Sequence, residues 1–169
     1  MSTPPTVTGA LIVTLTAHYM TLSPTQVGTI VPAATLDVGS VVVATGAERI
    51  TITGSNFDPT LGDNVLAFSG GGAGGGAAAT VESGSSSQLV LLFAPTLSTV
   101  GDLELDLTAY SVATGPVKIA EVVLPPTIVD TTVTPLAVGA SRITISGTDF
   151  DAIPGNNVVV LGGVATDPG

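Results

Sequence analysis

The chain nearly repeats itself, and the repeat is out of phase with its length. The segment ERITITGSNFD at 48–58 returns as SRITISGTDFD at 141–151, 93 residues on, with seven of the eleven positions identical. Upstream, GALIVTLTA at 9–17 returns as GDLELDLTA at 101–109, 92 residues on, so one residue is inserted between the two blocks. Self-similarity at a fixed period is the mark of a tandem array. Fewer than two copies of a period near 93 fit into 169 residues. One whole unit is therefore expected over 33–125, between the C-terminal strands of a preceding incomplete unit at 1–32 and the N-terminal strands of a following one at 126–169. Because the repeat starts in mid-unit, a segment of a longer precursor is expected.

Inside the unit the periodicity is two. Leucine alternates with Thr or acid over 103–109, and Arg49-Ile50-Thr51-Ile52-Thr53 alternates Ile with polar neighbours. Alternation over four to eight residues, rich in β-branched side chains, predicts half-buried strands. Gly and Pro punctuate at roughly ten-residue intervals, the spacing of a sandwich rather than of strand–helix–strand units. No stretch of ten or more residues reads as a capped amphipathic helix. Strands are expected near 35–44, 48–54, 64–69, 78–83, 88–93, 102–111 and 117–124. Seven short strands in a unit of this size is the count of an immunoglobulin-like sandwich. The expected fold class is thus all-β, built as tandem immunoglobulin-like β-sandwich repeats.

The run Ile50-Thr51-Ile52-Thr53-Gly54-Ser55-Asn56-Phe57 resembles the ITITGxNF signature of IPT/TIG domains, the immunoglobulin-like fold shared by plexins and transcription factors. Val65-Leu66-Ala67-Phe68-Ser69-Gly70 is similar to that family's V-x-F-G-G strand and turn, and Ser87-Gln88-Leu89-Val90 with Ala94-Pro95 to its S-x-x-x-L-x-V-x-x-P stretch. The second copy matches through Gly147, Phe150, Val158 and Gly162-Gly163, with Asp149 in place of the asparagine. The resemblance covers 33–124 and, through the repeat, much of the flanks; it implies a fold and is nearly silent about function. Physically the signature reads as structure. Gly54 and Gly147 would supply a positive φ where the chain turns. Phe57 and Phe150 would plug the end of the sandwich, and Asn56 and Asp149 would hydrogen-bond turn backbone.

Charge narrows the function classes. Three basic residues, Arg49, Lys118 and Arg142, face thirteen acidic ones, for a net charge of −10. Without a basic patch there are no phosphate counterions to release, which argues against nucleic acid and against anionic membrane surfaces as partners. No apolar run approaches the ~20 residues that cross a bilayer, so no membrane insertion is expected. The first residues carry no secretory signal. Low basic content fits an extracellular or cell-surface setting. The absence of cysteine leaves stability to core packing and removes thiolate chemistry.

Catalysis finds little to use. The sole histidine, His18, aligns with Tyr110 in the next copy, and no second histidine exists for zinc or for a triad. Trp is absent and only two Tyr are present, which weakens sugar stacking. An enzyme is not expected. Asp102, Glu104 and Asp106 share one face of a strand, and three carboxylates in a row suggest calcium, a cation that takes six to eight oxygen ligands. Same-face neighbours stand about 7 Å apart along a strand, too far to converge unaided. Ala10, Ile12 and Thr14 occupy the matching positions of the first copy. A solvated face is the favoured reading, so no cofactor is expected, and Asp58, Asp63 and Asp151 near turns are similarly weak calcium candidates. The glycine-rich tract at 69–87 lacks the Lys-Ser/Thr of a phosphate loop and reads as a flexible insertion, prone to disorder in its first half.

What remains is a non-catalytic structural segment of an extracellular repeat protein, serving as stalk, adhesive or fibre-forming element. Its partners would be neighbouring repeats or copies of itself. One alternative is a filament subunit that joins head to tail by strand exchange between neighbours; another is a ligand- or carbohydrate-binding surface module, for which no particular residues stand out.

Overall fold

A computed structural model describes residues 7–39, 41–129, 137, 139–160 and 162. Residues 1–6, and Leu161 and Gly163 of the second strand-and-turn match, lie outside the described residues. The chain divides into two compact units, Met1–Val122 and Val123–Gly169.

The described residues form strands and short turns, with three single turns of 3-10 helix at Leu61–Asp63, Gly71–Ala73 and Pro154–Asn156. The first unit opens with β1 (Gly9–Val13), β2 (Thr16–Ala17), β3 (Met20–Thr21) and β4 (Thr25–Ile30). It continues with β5 (Thr35–Leu36), β6 (Val41–Ala44), β7 (Arg49–Ser55), β8 (Val65–Ser69), β9 (Ala79–Gly84) and β10 (Gln88–Phe93). It closes with β11 (Gly101–Ala109), β12 (Val112–Ala113) and β13 (Val117–Val123). The second unit contributes β14 (Thr127–Ile128) and β15 (Gly147–Thr148). The all-β class follows the period-two patterning of the sequence.

Two sheets enclose one core. The first runs β5-β7-β10-β9; in the second β11 lies between β13 and β8, with β6 beyond β13 and β12 pairing the end of β11. The alternation in β11 sorts its residues cleanly: Leu103, Leu105, Leu107 and Ala109 are fully buried, while Asp102 is exposed and Glu104, Asp106 and Thr108 are half-exposed. Facing them are Ile50 and Ile52 of β7, Leu89, Leu91 and Phe93 of β10, and Phe57 beyond β7, all in the same cluster. Each large apolar side chain buried this way contributes about 2 kcal/mol.

Two irregularities depart from the expected strand list, each for a local reason. The expected strand at 35–44 is two strands, because β5 pairs with β7 while β6 joins the other sheet beside β13. The crossing passes Gly39, whose N–H donates to the Lys118 carbonyl at 2.9 Å, and a Cβ there would collide with the Ile119 backbone. The strand expected to run to 111 stops at Ala109. Tyr110 and Ser111 take φ of 52° and 63°, the two positive φ values of a type I′ hairpin turn.

The glycine-rich tract is also more ordered than expected. Gly72 and Ala73 are buried in a 3-10 turn against β11. A Cβ on Gly72 would strike the Gly101 carbonyl at 2.6 Å and Val122 at 2.8 Å. Glycine at 72 permits a close backbone approach and is a packing device, while Gly75 and Gly76 face open space.

Candidate functional site

The residues of the ITITG signature build a turn that ties the end of β7 to β5. Thr35 and Ser55 sit opposite each other in register, their hydroxyls 2.8 Å apart. Gly54 lies within β7 with no positive φ; a Cβ there would meet the Thr35 carbonyl oxygen and come within 2.6 Å of the Phe57 ring. Glycine is required by crowding, and the positive φ falls two residues later, at Asn56 (56°). Asn56 tolerates that region, and its Nδ2 donates to the Ala33 carbonyl at 3.2 Å. Phe57 then inserts into the core at 1% exposure.

Past Phe57 the chain closes a small polar cage. The Asp58 N–H donates to Asn64 Oδ1 at 2.9 Å, and Asn64 Nδ2 returns a bond to the Asp58 carbonyl at 2.9 Å. The Thr60 N–H donates to Asp58 Oδ1 at 2.8 Å. Asp58 and Asn64 are the buried polar residues of the described chain, and among described residues no buried side-chain polar atom lacks a partner. Asp58, weighed from sequence as a weak calcium ligand, is thus occupied in capping a turn.

The same construction recurs around the second copy of the motif. Thr127 pairs with Thr148, hydroxyls 2.8 Å apart. Gly147 is crowded by the Thr127 carbonyl and the Phe150 ring, and Asp149 carries the positive φ, 58°. Asp151 N–H donates to Asn157 Oδ1 at 2.9 Å, and Asn157 Nδ2 donates to the Asp151 carbonyl at 2.8 Å. The Ile153 N–H, 2.7 Å from Asp151 Oδ1, and the Asn156 amide together hold the Asp151 carboxyl below its ordinary value. One difference matters: Phe150 is 43% exposed where Phe57 is buried.

A second recurrence links the first hairpin to β11 and β13. β1 and β4 pair Gly9 with Ile30 and Leu11 with Gly28, then slip so that Ile12 meets Gln26. β11 and β13 pair Gly101 with Val122 and Leu103 with Ala120, then slip so that Glu104 meets Lys118. Each position moves by 92, and the bulged residue is Val27 in one and Ile119 in the other. The hairpin tips match as well: His18 and Tyr19 take φ of 50° and 64°, as Tyr110 and Ser111 do 92 residues on. His18 therefore occupies an exposed turn. Burial again differs: Leu11, Val13 and Leu15 are 43%, 45% and 57% exposed, whereas Leu103, Leu105 and Leu107 are fully buried.

The acid row disperses among separate partners. Asp102 pairs with Lys118 Nζ at 2.5 Å, and Lys118 also reaches Glu121 at 3.8 Å. Glu104 accepts from the Ser69 hydroxyl at 3.0 Å, and Asp106 accepts from the Gly115 N–H at 3.0 Å. The carboxylates raise the Lys118 pKa, chiefly through the Asp102 hydrogen bond. Among the described residues no group of three or more His, Asp or Glu side chains converges as a metal site would require, and no helix is long and apolar enough to cross a membrane.

Asn64 and Asn157 escaped the sequence reading. Their signal was present as Asp-x5-Asn at 58–64 and 151–157, but a side chain that caps a turn six residues back leaves no local pattern. The arrangement as a whole holds strand ends in register and, around the flanking copies, leaves apolar side chains exposed. Compared with protein-family models, curated proteins and solved structures, the chain matches none.

Proposed function

We propose that the chain is a non-catalytic structural segment of an extracellular tandem repeat protein, one whole immunoglobulin-like sandwich of the IPT/TIG type over 33–125 flanked by the end of one repeat and the beginning of another. The observation that carries this reading is the recurrence of backbone detail at the sequence period: one hairpin register with one bulge 92 residues apart, and one glycine-crowded turn with one Asp/Asn cage 93 residues apart. Independent chemistry at each site would not reproduce a strand slip and two positive φ values at fixed offsets. Elements that recur while their burial changes are scaffold rather than site. Such a segment acts by length and by contact with its neighbours, as stalk, adhesive or fibre element.

Residues 33–125, expressed alone, should fold and melt cooperatively within a few degrees of the main transition of the full chain. A fragment that stays unfolded would remove the domain boundaries and the repeat reading with them.

A further inference from the structure

We propose that the central unit bears tension: load along the chain falls on the ladder between β6 and β13, close to where the chain enters and leaves the unit, and strains that ladder in shear. This rests on the structural reading above, to which it adds the part that carries load.

The direction of the ladder follows from its two ends. β6 lies beside β13 at one edge of the sheet. Just ahead of β6, the Gly39 N–H donates to the Lys118 carbonyl at 2.9 Å, an approach so close that a Cβ on Gly39 would strike the Ile119 carbonyl. Lys118 and Ile119 lie at the start of β13. From there an antiparallel β6 would run off the beginning of β13, toward residues 113–116, so to pair with β13 it must run the same way. The far end agrees. Past β6, the Gly46 N–H donates to the Leu97 carbonyl at 2.7 Å, shortly before Gly101, the partner of Val122. The two strands are therefore parallel, and the chain enters β6 at one end of the ladder and leaves β13 at the other. Tension on the chain either side of the unit slides β6 along β13. In that geometry the evenly spaced bonds of a parallel ladder share the load and fail together, whereas bonds peeled from one end fail one after another.

β13 is the fixed side of this ladder. Its other edge pairs with β11 from Val117 opposite Leu105 to Val122 opposite Gly101, and Lys118 reaches across that pairing to Asp102. β11 is held in turn by β8 along its opposite edge. On the moving side, Val43 of β6 packs against the buried core. β5 is the weak part of the entry, tied to β7 by two residue pairs, Thr35 with Ser55 and Leu36 with Gly54. It gives first and passes the load to β6. The sequence has no cysteine, so no covalent brace takes the load instead, and the β6–β13 ladder sets the force at which the unit opens.

The test is single-molecule pulling on the full chain through pairs of introduced cysteines, which are then its sole thiols. Val38→Cys with Leu124→Cys puts handles before β6 and after β13, both at exposed positions, and loads the ladder in shear. Val38→Cys with Pro116→Cys moves the second handle to an exposed residue ahead of β13 and peels the same ladder from one end. At equal pulling speed the first pair should open the unit at a severalfold higher force. Adding Asn64→Ala to the first pair weakens the unit away from the ladder; it should lower the melt and leave that force in place, because forced unfolding reads an unfolding rate, set where the load acts. Equal forces in the two directions overturn the proposal, as does a force that falls along with the melt in the Asn64→Ala chain. Both cysteine pairs sit at exposed positions and should melt as the unsubstituted chain does, so equal forces reject the load-bearing ladder and leave the repeat reading standing.

Discussion

Gly54, Asn56, Phe57, Asp58 and Asn64 do one job between them, and the side chain that binds it is the one least visible in the sequence. Asn64 accepts from one buried N–H and donates to the Asp58 and Leu61 carbonyls, at 2.9 and 3.3 Å. Replacing it with Ala strands the Asp58 N–H away from water. A buried donor left unsatisfied costs about 2 kcal/mol, or roughly 10 °C in a domain of this size. Asn157 likewise accepts from the Asp151 N–H and donates to the Asp151 carbonyl, and to that of Ile153, in an exposed setting where water replaces these bonds. Asn64→Ala should therefore lower the main melting transition by about that amount while Asn157→Ala leaves it in place, a contrast that differential scanning calorimetry reads directly. Equal losses from both would mean that the two cages are not used as the burial pattern requires. The signature glycine was legible, but its cause was not: crowding by a carbonyl and a phenyl ring is a tertiary fact, and a sequence offers only the commoner explanation, a positive φ.

At the scale of elements, alternation read β7, β8, β10 and β11 nearly residue for residue, because each has one face in the core and one in water. It failed where the rule of two is broken by a neighbour. Ile119 and Ala120 are both buried because β13 bulges against β11, which consecutive apolar residues alone do not announce. The turn after Ala109 was missed because Tyr110-Ser111 lacks the glycine or asparagine usual at a type I′ turn. In the glycine tract the close packing at Gly72 and Ala73 went unread, since flexibility and close approach use the same residue. The acid row of β11 is an element-scale matter too: Asp102, Glu104 and Asp106 each engage a different partner, an arrangement that predicts no stabilisation by calcium. The melting temperature should be the same in excess calcium and in EGTA. A rise with calcium would show a ligand bound to the folded chain alone and would return Asp102, Glu104 and Asp106 to consideration as a site.

For the whole molecule, the repeat visible at 48–58 and 141–151 has become a statement about burial. The elements recur, but only the central copy closes over its core; the flanks present the same residues to solvent. No amount of local pattern could show this, because exposure depends on which strands are present to cover a face. Hydrogen exchange read by mass spectrometry on the full chain in dilute solution tests the account most directly. In dilute solution β7, β10, β11 and β13 should exchange slowly while residues 9–30 and 143–160 exchange within the fastest phase. Flanks as protected as β11 in dilute solution, or a central sandwich that exchanges as fast as they do, would contradict a closed repeat between two open halves.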